Sequence, residues 1–236
     1  MIKTIFFDLD GTLLPMDQDC FIQAYMSGLA GKMAQHGYDP KHLVQSVWKG
    51  TAAMTVNDGL RGNEEVFWDT FCQAYGKDAR CDEPIFLSFY QNEFQQVRHA
   101  CGYAPQAAQL IRELNDMEFT LVLATNPLFP AIATHSRVHW AGLSPEDFSL
   151  ITTYENSRFC KPNPDYYREI LGKLGLSPEE CLMVGNDVSE DMVAQQLGMQ
   201  VFLLTDCLIN KNNADISQFP HGSFPELMNF IRRIAQ

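Results

Sequence analysis

The sequence has few basic residues and no cysteine pattern typical of a cross-linked or zinc-bound fold. Lysine and arginine together number 17, against 29 aspartate and glutamate residues, and the formal net charge is −12. This charge disfavours nucleic acid and anionic membrane surfaces as partners. The seven cysteines form no Cys-x-x-Cys pair. We therefore expect reduced thiols, with neither a disulfide framework nor a structural zinc site.

Long hydrophobic runs are also absent. No stretch of about 18 apolar residues occurs, and the residues before Asp8 lack the apolar region of a signal peptide. We therefore expect a cytoplasmic protein. The 236 residues, of which 46% are hydrophobic, suffice for one large domain or for one domain with a second inserted into it.

The hydrophobic pattern divides the chain into two kinds of segment. From about residue 17 to about residue 100, apolar residues recur at spacings of three and four, which predicts four helices. Beyond Gly102, helical segments alternate with short apolar strands, and the strands lie near residues 119–124, 149–153, 181–184 and 201–204. Such alternation predicts an α/β fold with a doubly wound parallel sheet.

Two carboxylates follow the first predicted strand. The run Ile5–Phe7 is continuously apolar, which is typical of a strand buried on both faces of a parallel sheet. Asp8 and Asp10 would point to the same side of an extended chain, and Gly11 permits a sharp turn behind them. Two such charges need a cation or a shared proton, and Mg²⁺ suits their hard oxygen atoms. An ordinary acidic turn is the alternative.

Three later segments also place polar side chains beside predicted strands or helices. Thr125 and Asn126 end the second core strand, where a hydroxyl and a backbone N–H can hold a phosphoryl oxygen or cap a helix. Lys161 begins the run Lys-Pro-x-Pro before a helix, although a lone lysine there is commonly a surface charge. Asp187 and Asp191 follow a fourth strand, either as ligands or as a helix cap.

In this order, the four segments resemble the four motifs of the haloacid dehalogenase (HAD) superfamily. The first, Asp-x-Asp-Gly-Thr, matches in full at Asp8 to Thr12, and the last has the form Gly-x-Asp-x-x-x-Asp. The resemblance covers the whole chain, although the part predicted to be helical resembles the family only in being helical and has no sequence motif in common with it. It implies a Rossmann-like HAD core in residues 1–16 and 101–236, with a C1-type all-helical cap inserted at residues 17–100.

The resemblance also implies an activity, namely Mg²⁺-dependent hydrolysis of a small phosphorylated metabolite through an aspartyl-phosphate. Asp8 would be the nucleophile and Asp10 the general acid and base, which favours phosphoryl transfer over dehalogenation because a halide leaves without a proton. The implied ligands fall into two groups: Thr125, Asn126 and Lys161 for the phosphoryl oxygens, and Asp8, the Asp10 carbonyl and Asp187 for Mg²⁺. Asp191 is the alternative metal ligand.

Several alternatives remain open at this level. A phosphomutase of the β-phosphoglucomutase kind would share all four motifs and the cap, and a catalytically idle binding protein would share the scaffold. Arg61, in a loop of turn-forming residues from Asn57 to Asn63, either binds a distal anionic part of the substrate or is solvated. Neither the substrate nor the oligomeric state follows from the sequence.

Overall fold

The centre of the protein is a six-stranded parallel sheet, seen in a computed structural model that describes residues 1–234. The strand order is β3-β2-β1-β4-β5-β6. The strands are β1 (Thr4–Phe7), β2 (Thr120–Leu123), β3 (Leu150–Ile151), β4 (Cys181–Gly185), β5 (Gln200–Leu204) and β6 (His221–Gly222). The predicted doubly wound parallel sheet is confirmed, and the short β6 is a strand that the hydrophobic pattern did not indicate.

Strand β1 lies in the middle of the sheet and is buried on both faces. Its Phe7 is in register with Leu123 of β2 on one side and with Val184 of β4 on the other. Ile5 and Phe7 pack into one apolar layer and Phe6 into the other, and all three are fully buried. The continuous apolar run therefore reflects two covered faces.

Helices cover both faces of the sheet. The core helices are α5 (Pro105–Asp116), α6 (Ala131–Trp140), α7 (Pro164–Leu174) and α8 (Phe224–Ile234). Buried residues of α5, α6 and α8 belong to the layer that contains Phe7, whereas those of α7 belong to the layer that contains Phe6. No helix within residues 1–234 is both long and apolar enough to cross a bilayer.

Residues 18–100 form helices and turns, as predicted. The α-helices are α1 (Gln18–Ala34), α2 (Pro40–Thr55), α3 (Asn63–Tyr75) and α4 (Glu83–Gln91), with 3₁₀ helices at Ala79–Asp82 and Glu93–Ala100. The two chain segments that connect this part to the sheet run side by side. Met16 forms an antiparallel bridge with Cys101, and the Gly102 N–H donates to the Pro15 carbonyl at 2.7 Å.

Two predicted helices differ from the structure because polar side chains compete for backbone groups. The apolar spacing over residues 85–97 predicts one helix, but the helix breaks at Asn92, whose side-chain amide donates to the Ser88 carbonyl at 2.8 Å. The sequence also predicts a helix over residues 188–197, and the structure has a 3₁₀ helix confined to Met192–Leu197. In the turn before it, backbone N–H groups are bound by carboxylates instead of by helical carbonyls.

Candidate active site

Three neighbouring strands bring the predicted site residues to one edge of the sheet. Asp8, Thr125 and Asn186 follow β1, β2 and β4, and these parallel strands end at the same edge. A cavity of about 170 Å³ opens there and is lined by all three residues together with Asp10 and Asp187. Segments that lie far apart in the sequence thus converge on a single cavity.

The ammonium group of Lys161 lies between two carboxylates. Its Nζ is 2.8 Å from Oδ1 of Asp8 and 2.6 Å from Oδ1 of Asp191, and the side chain is completely buried. Burial lowers the pKa of Lys161, but the carboxylates of Asp191 and Asp8 outweigh burial and raise this pKa well above its ordinary value. Lys161 therefore provides a permanent positive charge beside Asp8.

The turn after β4 gives Asp187 and Asp191 different environments. Asp191 accepts from Lys161 through Oδ1 and from the Asp187 N–H through Oδ2 at 2.9 Å, so both of its oxygens are engaged. Asp187 accepts the N–H groups of Ser189 and Glu190 through Oδ1 alone, at 2.7 and 2.9 Å. Among the described residues, no donor reaches its other oxygen. Of the two aspartates, Asp187 is therefore the one that has a carboxylate oxygen free to act as a metal ligand.

Thr12 contacts Asp8 at the carboxylate oxygen that Lys161 does not bind. The Thr12 hydroxyl lies 3.2 Å from Asp8 Oδ2 and 3.0 Å from Asn186 Oδ1, and both of these oxygens are acceptors. The Asn186 side chain occupies the space that a Cβ on Gly11 would need, and Gly11 has a φ of +85°. Both constraints require glycine at position 11.

Arg137 of α6 is a site residue that the sequence analysis did not identify. Its guanidinium is fully buried, forms an ion pair with Oδ2 of Asp10, and donates to the Thr134 hydroxyl at 3.2 Å. It also lies over the Phe129 ring, 4.5 Å from the ring centroid. The feature of the sequence that could have identified Arg137 is its spacing in α6, since it lies one helical turn after Ala133 and therefore on the buried face of this helix.

Asp10 combines one bound oxygen with one free oxygen. Oδ2 pairs with Arg137, whereas Oδ1 is buried and has no hydrogen-bond partner among residues 1–234. Burial raises the pKa of Asp10, the Arg137 guanidinium lowers it, and the Asp8 carboxylate raises it, so that the net shift is upward. A carboxyl group of this kind is suited to hold and release a proton at Oδ1.

Thr125 and Asn126 are fixed at the cavity wall by their backbone and side-chain contacts. The Thr125 carbonyl accepts hydrogen bonds from the hydroxyl groups of Thr152 and Tyr166 at 2.7 and 2.9 Å. These bonds fix the backbone, and Thr125 lines the cavity. The Asn126 amide donates to Oε2 of Glu190 at 3.0 Å. Burial raises the pKa of Glu190 to about 7.

The cavity carries an excess of acidic groups. Five carboxyl groups line it, those of Asp8, Asp10, Asp187, Glu190 and Asp191. Lys161 and Arg137 are the basic partners bound to them. Within residues 1–234, no three histidine, cysteine or acidic side chains are close enough together to enclose a metal ion. A cation held here would also need oxygen atoms from the backbone, water or substrate.

The structure does not place Arg61 at this cavity. Its guanidinium pairs with Asp69 at 2.6 Å and with Glu65 at 3.4 Å on the exposed side of α3. The loop before α3 contacts the core elsewhere, since Gly59 packs against the Phe159 ring. Arg61 takes part in a surface ion pair instead of lining the cavity, because two acidic residues of α3, the helix that follows its loop, attract it.

We expect Arg61→Ala to have a small effect. An exposed ion pair contributes little to stability, and Arg61 is outside the cavity. The midpoint of urea denaturation should stay close to that of the natural protein, and kcat/KM should stay within about twofold for every substrate tested. A selective loss of kcat/KM for one substrate would contradict this expectation and show that Arg61 binds that substrate.

Comparisons with known proteins found a matching family and related phosphatases. A model of the haloacid dehalogenase-like hydrolases matches residues 2–198. A phosphoglycolate phosphatase from Aliivibrio fischeri is 30% identical over 211 residues, which cover 86% of this chain and 84% of that protein. A pyrophosphatase from Oceanobacillus iheyensis is 25% identical over 199 residues, which cover 84% and 81% of the two chains.

A solved structure supports the fold. The 2-haloacid dehalogenase from Pseudomonas syringae pv. Tomato superposes with a TM-score of 0.66 over 99% of both chains, at 22% identity. The family match and the phosphatases among the relatives confirm the predicted superfamily and the predicted enzyme class. The match over residues 2–198, which is most of the sequence, shows that the chain belongs to the haloacid dehalogenase-like hydrolases.

Proposed function

We propose that the protein is a Mg²⁺-dependent phosphomonoester hydrolase that acts on a small phosphorylated metabolite through an aspartyl-phosphate. The observation that carries this proposal is the arrangement around Asp8. Lys161 and Thr12 hold this carboxylate at the cavity wall, and Asp10 has an unpaired oxygen in the same cavity. A positioned nucleophile and a positioned proton donor are the two groups that such a transfer needs.

In the first step, an oxygen of Asp8 bonds to phosphorus and the bond from phosphorus to the ester oxygen breaks. Asp10 gives its proton from Oδ1 to the departing oxygen, and the raised pKa of Asp10 supports the protonated form at the start. Arg137 holds Oδ2, so Oδ1 stays turned away from it. The Thr125 hydroxyl, the Asn126 backbone N–H and the Lys161 ammonium receive the phosphoryl oxygens.

In the second step, water attacks the phosphorus of the aspartyl-phosphate and releases Asp8. Asp10 is now ionised and takes the proton of this water at Oδ1, which restores both residues. Arg137 favours the ionised form between the two steps because its positive charge lowers the pKa of Asp10. The buried ion pair thus offsets the burial that would otherwise disfavour an Asp10 carboxylate.

Mg²⁺ fits the donor atoms of this cavity. The acidic groups exceed the basic ones, and Mg²⁺ retains several waters and uses few carboxylates, so a dedicated cluster of three acidic ligands is not required. Asp8, the Asp10 carbonyl and Asp187 would hold the ion, whereas both oxygens of Asp191 are engaged elsewhere. When bound, the ion supplies charge neutralisation for the phosphoryl oxygens.

We expect Asp187→Asn to weaken Mg²⁺ binding, since a neutral amide oxygen replaces an ionised ligand. The Mg²⁺ concentration that gives half-maximal activity should rise at least about tenfold. Mg²⁺ should also raise the Tm of the natural protein and have a much smaller effect on the variant, because an ion that binds only the folded state stabilises it. A metal-bound crystal structure with Asp191 on the ion and Asp187 remote would reverse this assignment.

The helices of residues 17–100 act in this proposal as a cap over the core of residues 1–16 and 101–236. Gln18, Phe21 and Ile22 of α1 line the same cavity as Asp8, which supports this role. The paired connections at Met16 and Cys101 join the two parts at one place. A cap of this kind excludes water from the reacting groups.

Phosphate release from p-nitrophenyl phosphate, measured with and without Mg²⁺, tests the proposal. We expect turnover that requires Mg²⁺ and a covalent phosphate on Asp8 detectable by mass spectrometry after acid quenching. Absence of turnover on this compound and on a panel of phosphorylated metabolites would favour an idle scaffold. Transfer of phosphate to a sugar phosphate instead of to water would identify a phosphomutase.

A further inference from the structure

A second cavity, of about 100 Å³, lies between the helices of residues 17–100 and the core. Helices α1 to α4 form most of its wall, and the core contributes residues 128–130 and Tyr154. Among the described residues that line it, all except Thr51 and Glu83 are apolar or aromatic. The hydroxyl groups of Tyr25 and Tyr90 bond to each other at 2.9 Å, so the wall satisfies these polar atoms internally.

This apolar cavity adjoins the acidic cavity. Ile22, Leu128 and Phe129 line both of them, so these three side chains form the shared boundary. Only Pro127 separates Asn126 from Leu128 and Phe129, and the Phe129 ring lies under the guanidinium that binds Asp10. An ester group that extends from the phosphoryl position at Asp8 past these three side chains would reach the apolar cavity.

The charges around the two cavities select against an anionic ester group. Within residues 1–234, no lysine, arginine or histidine lines either cavity, and Glu83 is the charged residue on the apolar one. A second anionic group on the substrate would lose its hydration without gaining a cation. An uncharged apolar group would instead gain from removal of its surface from water.

We propose that the substrate is the phosphomonoester of an uncharged, apolar alcohol, and that its aliphatic or aromatic group occupies this cavity. The inference rests on the proposed phosphatase activity and specifies the chemical class of the alcohol that this reaction would release. An apolar cavity of about 150 Å³ accepts benzene, so a cavity of about 100 Å³ suits a short alkyl chain or a small ring. Trp48 and Leu87, 46% and 39% exposed, line it where it meets the surface.

A series of primary alkyl phosphates from ethyl to pentyl tests the proposal, because their leaving oxygens have nearly the same basicity. Each methylene that enters the cavity should raise kcat/KM about fourfold, which gives about 60-fold from ethyl to pentyl. Phosphoglycolate, the compound in the name of the Aliivibrio relative, is close in length to propyl phosphate but carries a carboxylate. We expect its kcat/KM to be at least about tenfold lower than that of propyl phosphate.

A pair of matched variants tests the position of the site. Thr51→Phe places a ring in the cavity and should reduce the pentyl-to-ethyl ratio of kcat/KM from about 60 to below about 5. Thr55→Phe makes the same change one helical turn later on α2, at an exposed residue outside the cavity. This control should keep the ratio of the natural protein.

Binding of the same phosphates to Asp8→Asn provides a readout without turnover. Trp48 and Trp68 line the cavity, so intrinsic fluorescence should report a Kd that falls about fourfold per methylene. Hydrolysis with no dependence on chain length, or with phosphoglycolate preferred, would overturn the apolar leaving group and leave the phosphatase intact. Binding that depends on chain length without any hydrolysis would overturn the phosphatase and leave the apolar site.

Discussion

Asp8→Asn is expected to fold normally and to lose turnover by a factor of about 10⁴ or more, because an amide is a poor nucleophile. The asparagine oxygen can still accept from Lys161, and Lys161 keeps its ion pair with Asp191 at 2.6 Å. The free energy of unfolding should therefore change by no more than about 1 kcal/mol. Phosphate release and urea denaturation measure the two quantities on the same preparation.

Asp116→Asn is the matched control for this experiment. It makes the same chemical change at an exposed residue at the end of α5, and both turnover and stability should stay at the level of the natural protein. If folded Asp8→Asn retained more than a trace of Mg²⁺-dependent hydrolysis, Asp8 would not be the nucleophile. Another group would then have to form the covalent intermediate.

Lys161→Met is expected to have a large effect on both stability and turnover. The natural lysine places its positive charge between two buried carboxylates, Asp8 and Asp191, and its removal leaves these two like charges without a cation. Loss of one partner from a buried ion pair costs about 3–5 kcal/mol. Turnover should fall at least about 10³-fold because a cation at the phosphoryl position is also lost.

A double variant separates these two roles of Lys161. In Lys161→Met combined with Asp191→Asn, one buried charge is removed together with the lysine, so urea denaturation should show recovery of at least half of the lost stability. Turnover should not recover. Recovery of both would mean that Lys161 only supports the fold.

Lys173→Met is the control for replacing a lysine with methionine outside the site. Lys173 forms an ion pair with Glu169 at 3.0 Å near the surface, so its loss should change the free energy of unfolding by no more than about 1 kcal/mol. If Lys161→Met were as mild as this control, the group of Asp8, Lys161 and Asp191 would be solvated in solution.

The sequence by itself determined the order and type of most elements. The run Ile5–Phe7 and the later apolar strands have the composition that is typical of a doubly covered parallel sheet, and this sheet is present. The same patterns brought Asp8, Thr125 and Asp187 to strand ends, where parallel order makes them meet. The hydrophobic period and the order of the elements along the chain are local properties, so they can be read from the sequence.

The tertiary structure alone decided how the charges of the site are paired. Arg137 and Asp10 are 127 positions apart, and nothing in the local pattern of α6 identifies the partner of a buried arginine. The different roles of Asp187 and Asp191 likewise depend on a turn in which carboxylates, rather than helical carbonyls, bind the backbone N–H groups. Arg61 lies in a loop, and the sequence around it gave no sign that Asp69 of α3 would pair with it.

The apolar cavity also exists only in the tertiary structure. Its wall combines four helices of residues 17–100 with a loop of the core, and each contributing segment has the ordinary pattern of an amphipathic helix or a strand end. Burial against a neighbour and exposure to an empty cavity both demand apolar side chains, so composition cannot distinguish them. Packing across the two parts of the chain leaves this space unfilled and makes it available to a substrate.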